Sequence, residues 1–282
     1  MEKDTIQVSV ICNTYNHEAY IRDALEGFVN QVTNFKYEVL IHDDASTDGT
    51  ADIIREYEAK YPDLIRPIYQ TENKYTKGVK ISWVYQFPRV TGKYVAFCEG
   101  DDYWTDPHKL QKQFDALESH PEIDICAHRM GRISGKTGER IGYQGPGDQT
   151  KVYTQKQVIR GGGGFVATPS LFYRSELLKE QPEFRKILSL DYSMQIYGSL
   201  RGGMMYLGES MGESRACVPG SWTERTRKVY KAKKAVNIKL KKMLKQLNKE
   251  TKYKYWDAIA YVYIGAWLRD IYCVYLKLKG GK

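Results

Sequence analysis

At 282 residues the chain is long enough for one large domain, or one domain with an appendage, built on a sizeable core. Its 42% hydrophobic and 27% charged residues match a soluble globular protein and exclude a disordered or fibrous one. The net charge of +9 is unevenly placed: residues 225–254 hold thirteen Lys and Arg against the single acid Glu250, so the rest of the chain is slightly acidic.

The five cysteines, Cys12, Cys98, Cys126, Cys217 and Cys273, form no CxxC pair. Several lie in apolar runs, which reads as reduced core thiols of a cytosolic protein, with no zinc knuckle and no disulfide framework. The opening MEKDTIQVSV has no long apolar stretch and is not read as a signal peptide. Tyrosines outnumber phenylalanines 23 to 8, as on half-wet surfaces such as ligand grooves and membrane interfaces.

The first hundred residues alternate strand and helix signals. IQVSVICN reads as a strand, HEAYIRDALEGFVNQ as a helix, and YEVLIHDD as a second strand ending in acids. STDGTADIIREYEAKYP reads as a helix stopped at Tyr61-Pro62, and LIRPIYQ as a short third strand. VKISWVYQFPRVT is expected to be helical, with its end blurred by Pro88, and KYVAFCEGDD is a fourth strand. Asp106 before Pro107 is expected to cap the helix in PHKLQKQFDALE. This alternation implies a parallel sheet with helices on both faces.

Residues 131–164 are rich in glycine and are expected to form loops with a small hairpin; the run Gly161 to Gly164 fits a lid or a plain connection. TPSLFYRSELL reads as a strand entering a helix, LDYSMQIYGSLRGG as a helix ended by glycine, and MMYLGES as a strand. Further on, Val236, Leu240, Met243, Leu244 and Leu247 share one helical face among lysines. The aromatic stretch YWDAIAYVYIGAWLRDIYCVYLKLK carries Asp257, Arg269 and Asp270, which makes it a poor spanning helix. The division expected is a catalytic body over 1–222 and a basic, aromatic helical appendage over 223–282. The appendage fits an anionic membrane surface at the inner face of the plasma membrane, or a lysine face packed on the body or on a second copy. Basicity without a recognition motif is weak support for nucleic acid, which is not expected as a partner.

Three of the four strands end in polar clusters: Asn13 to Asn16, Asp43-Asp44, and Glu99 to Asp102. In a parallel sheet they converge on one edge, where ligands of such folds bind. Carboxylates as close as Glu99, Asp101 and Asp102 repel unless a proton or cation neutralises them. The knot is either a solvated turn or a site for a cation such as Mg²⁺ or Mn²⁺, which takes one or two carboxylates plus substrate phosphates. No GxGxxG and no GxxxxGK[ST] is present, which argues against dinucleotide dehydrogenases and P-loop NTPases.

Taken in order and spacing, VSVICNTYNHEAYI, VLIHDDASTDGT and GKYVAFCEGDDYWTDPHKLQKQ resemble the family 2 inverting glycosyltransferases of GT-A fold, over about residues 6–222. The resemblance implies a nucleotide-diphosphate-sugar donor, usually a UDP-sugar. It implies contact of Thr14 and Tyr15 with the base, with Glu18 nearby, and of Asp44, with Ser46, on the uracil or ribose side. Asp101 would face the ribose or sugar, and Asp102 would bind Mn²⁺ or Mg²⁺. Asp191 matches the catalytic base, although Leu190 stands where the family has Glu; without the resemblance, Asp191 reads first as a helix cap. Arg215 matches a residue that could stabilise the leaving diphosphate, or it could make a surface ion pair. Cys217 replaces a family His, and Trp104, Thr168 and Trp222 fall on the acceptor side. The implied activity is transfer of a sugar to a saccharide or lipid-linked acceptor during surface polysaccharide synthesis. The alternatives are a non-catalytic nucleotide-sugar binder and a nucleotidyltransferase, whose Gly-rich signature is not found near the N-terminus.

Overall fold

The computed structural model describes residues 5–188, 191–216, 218 and 230–278. Strands β1 (Ile6–Thr14), β2 (Lys36–Asp43), β3 (Ile65–Tyr69) and β4 (Tyr94–Phe97) lie parallel in the order β3-β2-β1-β4. Helices α1 (Ile21–Val29) and α2 (Thr50–Lys60) are the crossovers between the first three. Alternation along β1 explains its apolar run: Val8, Val10 and Cys12 enter the core on one face and Ile11 the core on the other. In β4, Tyr94 and Ala96 face the first core and Val95 the second. Glu38, wholly buried on β2, accepts hydrogen bonds from Ser9 Oγ, Thr91 Oγ1 and Arg66, and so ties β1, β2, β3 and the approach to β4 together.

Beyond β4 the sheet becomes mixed. β9 (Phe172–Arg174) runs antiparallel to β4 and to β6 (Ile125–Ser134); β10 (Met204–Ala216) is parallel to β6, and the short β5 (Tyr103–Trp104) lies antiparallel at its edge. β7 (Arg140–Gln144) folds back on β6, and β8 (Lys151–Tyr153) pairs with β10. The helices here are α3 (Lys109–Glu118), α4 (Gln155–Gly161), α5 (Glu183–Ile187) and α6 (Asp191–Ser199), followed by the long pair α7 (Tyr230–Glu250) and α8 (Trp256–Leu278). Gly203, at φ +93°, turns the chain after α6 where an L side chain would be strained.

Two local expectations are corrected and one is refined. The 79–91 stretch is helical as expected, but as a π-helical turn at Ser82–Gln86 followed by a 3₁₀ turn at Phe87–Arg89. Pro88 cannot donate to a helical ladder, and the Gln86 amide is drawn into the sheet end, where it bonds Cys12 O and Leu40 O. Asp106 does not cap α3 directly: its carboxylate accepts from His108 N, one turn too early, and from Lys112 Nζ. Residues 131–164 hold more order than loops and one hairpin, since β8 and α4 are both built from them.

The C-terminal pair shares a core with the body. Met243, Leu244 and Leu247 of α7 and Ala258, Ile259 and Val262 of α8 pack with Phe184, Tyr192 and Ile196. The lysine-rich α7 therefore buries the apolar stripe seen in the sequence, while Asp257 at the start of α8 pairs with Lys156 and Arg160 of α4. Among the described residues no helix is long and apolar enough to cross a membrane.

Candidate functional site

The carboxyl ends of β1, β2 and β4 are stitched together. Asp44 N donates to Thr14 O (3.0 Å) and Gly100 N to Asn13 O (3.1 Å), which brings the three polar clusters to one edge as the parallel sheet requires. Gly100 is dictated by this crowding: a Cβ there would lie 2.6 Å from Thr14 Oγ1 and 2.9 Å from His17 Nδ1. Both of those buried polar atoms are without a hydrogen-bond partner among the described residues.

On the first wall Thr14 is buried and Tyr15 is 43% exposed, its ring free to stack on a flat ligand. The turn after it is pinned to the β2 loop. Asn16, at φ +54°, donates its N–H to Ser46 Oγ and accepts from Thr47 N, while Glu18 N donates to Asp48. Ser46 Oγ donates in turn to Asp43. Asp44 is buried, and its two oxygens accept from Lys74 N (2.8 Å) and Tyr75 N (3.0 Å), so it holds the 73–78 turn that closes this wall.

The acidic knot sits at the centre. Asp102 Oδ1 accepts from Arg215 N at 2.7 Å, and Arg215 Nη1 donates to Asp101 O at 2.8 Å. The guanidinium also pairs with Asp23 and lies over the rings of Tyr20 and Tyr103. Arg215 does make an ion pair, with the exposed Asp23, but its own side chain is largely buried and it also clamps β10 to the knot. Burial, then Asp101, pushes the Asp102 carboxyl well above the ordinary range. Burial, then Asp191, Asp102 and Asp101, does the same to Glu99.

Asp191 reaches the same place from ninety residues further along the chain. It opens α6, and its Oδ2 accepts from Thr168 Oγ1 at 2.5 Å. Asp191 is exposed as a residue, yet the protein crowded against its carboxyl raises its pKa, with the Thr168 bond acting the other way. Thr14, Tyr15, Ser46, Asp101, Asp102, Arg215, Thr168 and Asp191 therefore gather at the carboxyl edge of the sheet, with Glu18 and Asp44 pinning the loops beside them. Trp222 and Cys217, like Leu190, lie outside the described residues.

Trp104 is a correction. It is 3% exposed, stacks edge-on against Phe28, donates Nε1–H to Pro169 O and carries Lys109 Nζ 3.7 Å from its ring. It offers no face to an acceptor and belongs to the core under the knot. Trp104→Ala is expected to cost roughly 3–5 kcal/mol of stability, read as a lower denaturant midpoint; an unchanged midpoint would contradict the core placement.

Four residues near the site escaped the sequence. Asp23 looks like an ordinary charge on an amphipathic helix, and nothing in its spacing marks it as the partner of Arg215. Tyr20 and Tyr103, also around that guanidinium, are single tyrosines among 23. Arg185 is buried between the rings of Trp83 and Tyr197, its Nε and Nη1 without partners among the described residues. For α4 a signal was present: Thr154 and Gln157 form a capping box.

A divalent cation fits the donor set at the knot. Crowded carboxylates of raised pKa call for positive charge, and the nearby Arg215 already shares its charge with Asp23. Among the described residues no three or more His, Cys, Asp or Glu side chains form a ready cage, so ligand oxygens would complete the shell.

The family model described as Glycosyl transferase family 2 matches residues 9–181. An uncharacterised protein of Mycobacterium tuberculosis is 36% identical over 219 residues, covering 76% of this chain and 60% of that protein, so the chain spans less than two thirds of its relative. The putative teichuronic acid biosynthesis glycosyltransferase TuaG of Bacillus subtilis is 39% identical over 110 residues, 39% of this chain and 41% of that one. Among solved structures, S. aureus TarS 1–349 in complex with UDP superposes with a TM-score of 0.58 at 20% identity, over 88% of this chain and 73% of that one; at this identity the likeness shows the fold.

Proposed function

Because the chain belongs to glycosyl transferase family 2, we propose that it transfers a sugar, with inversion, from a UDP-sugar to a hydroxyl of a saccharide or lipid-linked acceptor in cell-surface polysaccharide synthesis. The observation that carries this reading is the meeting of Asp191 with the acidic knot. Thr168 Oγ1 holds the Asp191 carboxylate, and the next residue, Pro169, accepts Nε1–H of Trp104, two positions after Asp102; Asp191 thereby reaches the knot from 92 positions beyond Glu99 and helps to raise the Glu99 carboxyl.

In this reading Tyr15 and the 14–18 turn receive the base, and the 44–46 corner lies on the uracil and ribose side. Asp102, with Asp101 beside it, would hold Mn²⁺ or Mg²⁺, which when bound neutralises charge on the diphosphate as it leaves. Arg215 stiffens Asp102 from behind and adds a cation near the leaving group. Asp191, oriented by Thr168, takes the proton of the acceptor hydroxyl while that oxygen attacks the anomeric carbon from the face opposite the diphosphate. The new glycosidic C–O bond forms as the bond to the phosphate oxygen breaks, and its electron pair leaves with the diphosphate. The UDP complex of the S. aureus neighbour supports the donor, and the teichuronic acid relative supports the polysaccharide setting.

Calorimetric titration of UDP, GDP and dTDP, each with and without Mn²⁺, tests the reading. UDP should bind, and bind more tightly with the metal. Preference for GDP or dTDP would move the donor while keeping the reaction class; absence of binding by all three would overturn the proposal.

A further inference from the structure

Helix α8 is apolar on two sides. One side, with Ala258, Ile259, Val262 and Ala266, is buried against the body and α7. On the other, Trp256, Tyr263, Ile264, Trp267, Ile271 and Val274 are exposed, Trp256 at 63% and Trp267 at 56%. At 100° per residue these six fall within about one third of the helix circumference, so they form a continuous ridge. Isolated exposed apolar residues need no explanation, but a ridge of this length on one helix marks an interaction surface.

The partner's chemistry is set by what flanks the ridge. Helix α7 runs antiparallel to α8, joined by Asn237 Nδ2 donating to Ala266 O (2.8 Å) and by the Lys241–Asp270 pair. Lys241 Nζ lies 5.7 Å from the ring centre of Tyr263, itself part of the ridge. Lys234 and Lys245 are exposed on the same helical face of α7 as Lys241. An aromatic and aliphatic ridge with a parallel row of ammonium groups matches the boundary of an anionic bilayer, where Trp and Tyr settle at headgroup depth and lysines meet phosphates. A second copy of the chain would place the same lysine row near itself, which is less favourable.

We propose that the α7–α8 hairpin docks the protein, side-on, on an anionic lipid surface. The hairpin packs on the helix that begins with Asp191 and, through Asp257, on α4. Tyr261 of α8 lines a cleft of about 460 Å³ with Gln157, Arg160, Gly161 and Phe165, so the docked surface adjoins the glycine run leading to Thr168. Docking therefore sets the acceptor side of the site beside the membrane, where a lipid-linked hydroxyl would arrive. This last step rests on the proposed transferase reading; the docking itself does not.

The test is co-sedimentation of the full chain with vesicles of phosphatidylcholine alone, or with about one third phosphatidylglycerol. Binding to the anionic vesicles, weakened by salt, with little binding to the neutral ones, is the expected result. Lys234→Glu with Lys245→Glu should reduce partitioning by about tenfold or more, and Trp256→Ser with Trp267→Ser should do likewise. Both variants should keep wild-type helicity and nucleotide binding, which separates lost docking from lost folding or a failed transferase reading. Equal binding of wild type and both variants, or no vesicle binding, would overturn the proposal. So would a concentration-dependent dimer that the Trp variant dissociates, since the ridge would then belong to a second copy.

Discussion

Replacing Asp191 by Asn should lower the rate of sugar transfer by roughly a thousandfold, the range general bases contribute, while leaving UDP affinity within about twofold. The substitution is chosen because Asn retains the other job the position could have. Asp191 opens α6, and Asn supports a helix start as well as Asp does. Asn can also still accept the Thr168 hydroxyl proton through its carbonyl oxygen. What it cannot do is take a proton from an acceptor. A purely structural Asp191 would therefore leave the Asn variant active, and retention of more than about a tenth of the wild-type rate would remove it from the mechanism. The pH profile gives a second readout. The protein crowded against its carboxyl raises Asp191 above an ordinary aspartate, although the residue as a whole stays exposed, so the base form appears only at higher pH. The wild-type rate should climb on an acid limb lying above the usual carboxylate range of about 4, and the residual rate of the Asn variant should lack that limb.

The parallel half of this molecule was legible because its signals are local. β1, β2 and β4 each read as apolar runs ending in polar residues, and the sheet rule alone brings those ends together. Cys12, Cys98 and Cys126 are free and buried, as their apolar settings imply. The mixed half was less legible. β10 runs from Met204 to Ala216, yet only its start looks like a strand, because Gly208, Glu209, Gly212 and Glu213 interrupt the apolar pattern. Its second half is fixed by pairing with β6 and β5, which is long-range information.

The site divides in the same way. Asp101 and Asp102 declare themselves by self-repulsion within four positions, and that argument needs no structure. The Asp23–Arg215 pair joins residues almost two hundred positions apart and has no local signature. Trp104 shows the opposite case: it stands two positions after Asp102, yet it is buried in the core and not presented at the site. In a two-residue edge strand the side chains alternate, so Tyr103 turns toward Arg215 and Trp104 toward the core.

Asp102→Asn should make the ligand-free protein more stable at neutral pH and at the same time weaken Mn²⁺-dependent UDP binding by at least about a hundredfold, more than is usual for a group merely supporting a metal ligand. The two effects share one cause. Native Glu99 and Asp102 hold their protons more tightly than the same groups in the unfolded chain, because burial and mutual repulsion disfavour the charged forms. Their contribution to stability is therefore fully present below the ordinary carboxylate range and is lost as pH rises through their raised native values. At neutral pH the ligand-free site carries that cost. Asn removes one negative charge from the cluster yet can still accept the N–H of Arg215, so the β10 contact survives. Carboxylates held below their usual range, such as Asp106 and Glu118, push stability the other way over the same window, so the readout is the difference between the two proteins. As pH rises from about 4 toward neutrality, the thermal midpoint of wild type should fall relative to that of the Asn variant. Added Mn²⁺ and UDP should raise the wild-type midpoint and leave the Asn variant with little response. A variant less stable than wild type at neutral pH, yet still binding UDP through Mn²⁺, would mean that the Asp102 charge is satisfied within the protein and that the cation is held elsewhere.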